Sequence, residues 1–533
     1  MNCFSFRRLT TVAAVCVVFV FSVGYTFGSP AASLNSRANV LLSAGKSSDI
    51  AITLARQAVG ECPTDYQYHV TLANAYTYRA AVILYSLFWS AMISADRDQY
   101  SSDFAAWSSK HPNPLVIDKD DPIPVEQPQH VLFYKDGSGQ FRLGGNQAVT
   151  RILELNSLAQ AQWSAAERLA VTKVALADVC YKRAWSVKVL GELRPGKAND
   201  FSKIISSDRE LNNLPSESDA AKQISIANRL QPKNALYWQS RGDLYSIDSP
   251  FLAMLSSLAA DTVPLWRKYY RKSLNLQPKN ENLWLTLADR DKRDGSQVQD
   301  DLLGAVRSDP HDSFALLSYA GSILKTTGFS KNSMNSPADR TVINNSEIDA
   351  EMVKSLRASD WRQAVKVCDT LNRAAHSTQF NEIVENASAP PPLRQALVLS
   401  TMPGLNAVGE YPRYAKLRAV ARDAYGVAIA YAARGDASAS SRLLNNVSIS
   451  VSPMYELGVI GSASSDSTIK IMVAAAIKAI ALKARAQICQ KYGSKNELTI
   501  AERDYNQFKT IDAIRRTRQK ALASRPFDIY SFY

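Results

Sequence analysis

The sequence is poor in the residues from which most active sites are built: cysteine occurs six times and histidine five times in 533 residues. Cys3 and Cys16 lie near the N-terminus, while Cys62, Cys180, Cys368 and Cys489 are dispersed, so no pair has metal-ligand or redox spacing. Their wide separation argues against most disulfide pairings, and free thiols buried in helices are the expectation. His69, His111, His130, His311 and His376 stand in unrelated contexts, without a His-Glu-x-x-His pair, and neither a Gly-x-Ser-x-Gly elbow nor a Cys-x-x-Cys-His haem site occurs. Asp118, Asp120 and Asp121 lack the spacing and the glycine of a calcium loop and read as a solvated acidic turn. No catalytic residue, metal site or cofactor is therefore expected.

Acidic residues are the minority. There are 49 Asp and Glu against 62 Lys and Arg, a formal net charge of +13. Such an excess favours acidic proteins, anionic lipid or envelope polymers as partners. The basic residues are scattered and no nucleic-acid motif is present, so nucleic acid is not an expected partner. Long apolar runs are also scarce beyond the N-terminus. There, Arg7 and Arg8 precede an uncharged run over residues 9–27, followed by Gly28-Ser29-Pro30-Ala31-Ala32-Ser33. Residues 1–32 read as an export signal or, given the length of the run, as a retained anchor. The chain is accordingly expected outside the cytoplasm, at the periplasm or cell surface, or anchored in the inner membrane through residues 9–27. The shorter apolar stretch 80–95 reads as a buried helix.

What the sequence does contain is a phased pattern around three prolines. Ala220-x3-Ile224-x2-Ala227-x4-Pro232 is followed by Trp238-x2-Arg241-Gly242-x2-Tyr245. Trp266-x3-Tyr270-x2-Ser273-x4-Pro278 is followed by Trp284-x2-Leu287-Ala288, and Val298-x3-Leu302-x2-Ala305-x4-Pro310 by Leu316-x2-Tyr319-Ala320-x2-Ile323. A further copy, Ala51-x3-Ala55-x2-Ala58-x4-Pro63 and then His69-x2-Leu72-Ala73-x2-Tyr76, carries His69 where the others have Trp or Leu. Small residues at the Ala227 and Ala305 positions let helices approach, large aromatics fill the space between them, and the proline ends each second helix. One such hairpin cannot bury its own apolar face, so stacked copies are needed.

This pattern resembles the tetratricopeptide repeat (TPR) family. The resemblance implies an all-α fold, an α-α solenoid of degenerate helical hairpins that binds proteins. Pro278 and Pro310 are 32 residues apart and Pro232 and Pro278 are 46 apart. Against the family period of about 34, these gaps imply a shortened turn and an insertion between Tyr245 and Trp266. In such proteins the first helix of each repeat lines a concave groove. Carried onto this sequence, that rule selects Asn74, then Gln239, Asp243 and Ser246, then Asn282, Thr286 and Asp289. The Lys and Arg pattern that holds C-terminal acidic peptides is missing, so that specialised activity is not implied.

Along the chain, residues 33–98 read as N-terminal repeat helices and 99–146 as a proline-rich insertion. Two apolar runs around Asp136-Gly137-Ser138-Gly139 give that insertion a small β-hairpin. Residues 147–204 read as a helical hairpin region, 220–325 as the best repeats, and 326–350 as a linker rich in Asn, Ser and Thr. The remainder, 351–533, reads as degenerate repeats closed by a basic helix. Its Arg515, Arg516, Arg518 and Lys520 are candidates for an anionic surface, or form the polar outer face that a capping helix needs. Together these features suggest an exported or membrane-anchored scaffold that binds one or more proteins in a cell-envelope or secretion complex. An extracytoplasmic enzyme or carbohydrate-binding protein using residues 112–143 is the open alternative.

Overall fold

The computed structural model describes residues 29–95, 133–135, 141–143, 145–192, 214–245, 265–290, 295–327, 329, 354, 356–381, 383–384, 386–400, 405–455 and 465–523. These residues are nearly all helical, in seventeen helices, and the fold is all-α in class. Two three-residue strands, β1 (Phe133–Lys135) and β2 (Phe141–Leu143), pair antiparallel with Tyr134 opposite Arg142. The residues between them, 136–140, lie outside the described set. No described helix is long and apolar enough to cross a membrane.

The chain divides into two compact units. The first contains α1 (Pro30–Ser43), α2 (Ser48–Glu61), α3 (Tyr66–Ala95), α4 (Gly145–Leu169), α5 (Lys173–Glu192) and α6 (Glu217–Leu230). In it α1 packs on α2, α2 on α3, α3 on α4, and α5 on α6. Trp163 and Trp185 are wholly buried, and the Trp163 indole donates to Ser186 Oγ at 3.0 Å, which also pairs with Thr77 at 2.7 Å. Arg79 is buried beside Asp49 at 3.1 Å.

The second unit holds α7 (Ala235–Tyr245), α8 (Leu265–Leu276), α9 (Glu281–Arg290), α10 (Gly295–Ser308), α11 (Ser313–Lys325) and α12 (Ala358–Ala375). After α12 the chain adds α13 (Pro391–Ser400) to the first unit, against α1, α3 and α5. It then completes the second unit with α14 (Leu405–Ala433), α15 (Ala437–Ser450), α16 (Ser465–Tyr492) and α17 (Lys495–Ala523). Sequential neighbours pack as hairpins, α7 with α8, α9 with α10, α11 with α12 and α16 with α17. One continuous core runs from Leu285 on α9 to Phe508 on α17. The border between the units falls between Leu230 and Gln231, inside the 220–325 stretch.

The prolines act locally as their chemistry requires. Pro63, Pro232, Pro278 and Pro310 each stand two residues past the end of a helix, after α2, α6, α8 and α10. Each of three carbonyls, those of Pro63, Pro232 and Pro278, accepts a hydrogen bond from a ring six residues on. Trp238 Nε1 donates to Pro232 at 2.8 Å, Trp284 Nε1 to Pro278 at 2.9 Å, and His69 Nε2 pairs with Pro63 at 2.9 Å. A carbonyl can only accept, so His69 Nε2 is the donor to Pro63 O, while Nδ1 lies 2.7 Å from Gln162 Oε1. Histidine thus supplies at Pro63 the ring N–H that tryptophan supplies at Pro232 and Pro278.

The small residues sit where helices come closest. Ala227, Ser273 and Ala305 are buried. The Trp284 ring lies over Gly304, where an added Cβ would come within 2.6–2.9 Å of ring carbons. Tyr270 lies over Gly242 still more tightly. The four described cysteines are free, with Cys180 and Cys489 buried and Cys62 and Cys368 half-buried.

Candidate functional site

The strongest concentration of polar contacts lies in the second unit, where the chain after α12 crosses the faces of α11, α9 and α7 in that order. This strap comprises residues 377–389; positions 382 and 385 lie outside the described set. At α11 the Ser313 N–H and hydroxyl both donate to Gln379 O, at 3.0 and 2.6 Å. Phe380 packs edge-on against Phe314, with ring centroids 5.6 Å apart. At α9 the Asn282 side chain makes a two-point clamp on the main chain of Val384. Its Nδ2 donates to Val384 O at 3.0 Å and its Oδ1 accepts from Val384 N at 2.7 Å. At α7 the Ser388 hydroxyl donates to Asp243, and Ser240 Oγ donates to Ser388 O at 3.4 Å.

Asp243 is the buried anchor of this arrangement. Tyr270 on α8 donates to its Oδ1 at 2.6 Å, and Arg290 on α9 donates in turn to the Tyr270 hydroxyl. Burial pushes the Asp243 carboxyl above its ordinary range, against the opposing pull of Arg290, Ser388 and Tyr270.

A second carboxyl group lies beneath the middle of the strap. Asp312 caps α11 by accepting from Phe314 N at 3.2 Å and Ala315 N at 2.8 Å, and it also accepts from Asn381 N at 2.6 Å. Asn381 Nδ2 donates to Glu281 at 3.1 Å and to Asp309 at 3.3 Å. Burial first, and then a hydrogen bond to Asp312, push Glu281 up to about 8. Asp312 is raised as well, chiefly by burial. Glu281 Oε1 is buried with no hydrogen-bond partner among the described residues, an environment that favours the neutral carboxyl.

Of the seven groove candidates read from the sequence, two meet this arrangement directly, Asp243 and Asn282, which bind the strap; Gln239 is buried and accepts from Asn280 Nδ2 at 2.9 Å. Thr286 is buried and donates to Asn282 O at 2.7 Å, holding the base of the clamp. Asp289 accepts instead from Lys416 on α14 at 2.8 Å. Asn74 belongs to the first unit, where it is buried and its Oδ1 has no hydrogen-bond partner among the described residues. Ser246 lies outside the described residues, as do the leader through residue 28 and all of 112–143 except the two strands. Sequence reading missed Tyr270 and Glu281 as site residues, along with the whole strap. The one available signal was a non-helical run with adjacent Ile383 and Val384 ahead of Pro390-Pro391-Pro392.

The basic C-terminal candidates divide. Arg515 is largely buried and, with Arg516, donates to Asp512, at 2.8 and 2.7 Å from their Nε atoms. Arg516 keeps most of its surface exposed. The side chains of Arg518 and Lys520 lie outside the described set. Among the described residues no three His, Cys, Asp or Glu side chains come together as a metal site.

Compared with known proteins, the chain matches no family model, and no curated protein is significantly similar to it.

Proposed function

We propose that this chain is a non-catalytic, TPR-like α-α solenoid that binds other proteins. Its export signal or anchor, residues 1–32, directs it to the assembly of a cell-envelope or secretion complex. The observation that carries the reading is the Asn282 clamp. A side chain that pairs with both the N–H and the C=O of one residue recognises extended main chain whatever its sequence. It sits at a position where the family resemblance puts the peptide groove. The faces of α7, α9 and α11 hold one non-helical segment, which turns at Asn386, over three successive hairpins, as a concave surface of stacked repeats would. The strand pair around residues 133–143 is read as a hairpin insertion on this helical body.

The test compares capture by the wild-type chain and by Asn282→Ala from envelope extracts after crosslinking. A partner retrieved by the first and lost from the second is expected. A protein that stays alone, or a partner retained equally by both, counts against a groove-based scaffold.

A further inference from the structure

The strap is held as a bound peptide would be. Its main chain is gripped at Gln379, Val384 and Ser388 by side chains of α11, α9 and α7, and two of its side chains enter defined places. Phe380, four residues before the clamped Val384, meets Phe314; Ser388, four residues after it, reaches buried Asp243. Main-chain contacts of this kind supply affinity, and side-chain pockets at fixed spacing supply selectivity.

Other observations show that the strap is held unevenly: Ile383, Ser388 and Ala389 are buried and Phe380 packs against the core, whereas Val384 between them is not enclosed. Apart from a turn closed by Ala389 N donating to Asn386 O at 2.8 Å, its described residues form no helix, and its central Val384 is 45% exposed. The clamp bonds at Asn282 are solvent-exposed, whereas Leu285 and Leu287 on the same helix are buried. Exposed hydrogen bonds such as those of the clamp open at a small fraction of the global stability, so the strap releases first at Val384.

We propose that the face formed by α7, α9 and α11 is a peptide-binding groove closed by its own ligand mimic. The partner it admits is a non-helical segment of another protein bearing an aromatic residue and, eight positions later, a hydroxyl residue placed by a turn such as that at Asn386. Asp243 reads the hydroxyl, Phe314 reads the aromatic ring, and Asn282 sets the register between them. A ligand competing with the strap binds in proportion to the fraction of time the strap is open, so closure lowers its apparent affinity by that fraction. The proposal rests on the protein-binding reading and adds to it the chemistry and the gating of the site.

The test uses a fluorescent synthetic peptide of residues 376–390 and the full chain, with binding followed by anisotropy. The chain carrying Phe380→Ala and Ser388→Ala in its own strap should bind this peptide at least about tenfold more tightly than wild type. A peptide carrying the same two substitutions should not bind, and adding Asn282→Ala to the strap variant should abolish binding. Equal binding by wild type and strap variant overturns the proposal, as does a normally helical strap variant that binds nothing. Should the variant fail to fold, hydrogen exchange in the wild type decides. The Val384 amide exchanging at least about a hundredfold faster than those of Leu285 and Leu287 supports the gate, and equal protection overturns it. Partner capture that needs Asn282 but is the same with the intact and the substituted strap would sink the gate and leave the scaffold reading standing. Peptide binding in trans with no partner captured would do the reverse.

Discussion

Replacing Gly242 by alanine sets two effects of known sign against each other. Gly242 lies inside α7, where alanine in place of glycine is worth up to about 1 kcal/mol in helix propensity. The new methyl, however, would be built into the ring of Tyr270, which is fully buried. The ring cannot withdraw freely, because its hydroxyl donates to Asp243 and accepts from Arg290, and each such bond is worth about 1 kcal/mol. Overpacking costs about 1–3 kcal/mol, and a methyl built into a pinned, fully buried ring belongs at about 2–3, so the clash should win by about 1–2 kcal/mol. Hydrogen exchange is the fitting assay, since it reads local stability: amides of α7 and α8 such as those of Leu244 and Leu274 should exchange about 5–30-fold faster. Removing the obstacle with Tyr270→Ala should make the double variant less destabilised than the sum of the single ones. Gly60→Ala is the control, because nothing stands within 4 Å of its added Cβ and the site is exposed; it should be neutral or slightly stabilising. Unchanged or slower exchange in Gly242→Ala would refute the packing argument.

Two further outcomes follow from the site and the turns. Glu281 is raised from 4.5 to about 8 in the fold, so the folded state prefers its neutral form, and the resulting stabilisation is complete below about pH 4.5 and lost as pH rises through 8. With Asp309 and Asp312 beside it, ionisation gathers like charge under the strap. The melting temperature should therefore fall from pH 6 to pH 9, and Glu281→Gln should flatten that fall; an unaltered profile in the variant would contradict the assignment. At the turns, His69→Phe should cost about 1–3 kcal/mol in urea denaturation because His69 is buried and its proline carbonyl loses its donor. Trp238→Phe, at an exposed bond, should cost less, and the reverse order would speak against the shared role of the two rings.

The helical ends were legible because they are written locally. A proline two residues past α2, α6, α8 and α10 removes the N–H that another turn would need, whatever packs around it. The burial of Ala227, Ser273, Tyr270 and Ala305 was legible for a similar reason, since their spacing puts them on one helical face. Asp243 and Asn282, singled out from the same register, are the two candidates found bonded to the strap. The equivalence of His69 to Trp238 could not be understood from residue type alone; it became clear once both ring N–H groups were found on a proline carbonyl.

The sequence by itself determined the all-α class and the places where helices end, because period, small residues and helix-ending prolines act over a few residues. Only the tertiary structure decided what those helices touch. Asn282 meets a residue 102 positions later and Asp243 one 145 positions later. No local period carries information over such a separation, so the return of the strap across α11, α9 and α7 leaves no trace in the pattern. The same holds for residues 391–400, which join the first unit against α1, α3 and α5, although their neighbours in sequence on both sides belong to the second. Burial of one face and hydrogen bonding of one backbone segment select these long-range pairings, and both exist only after the chain has folded.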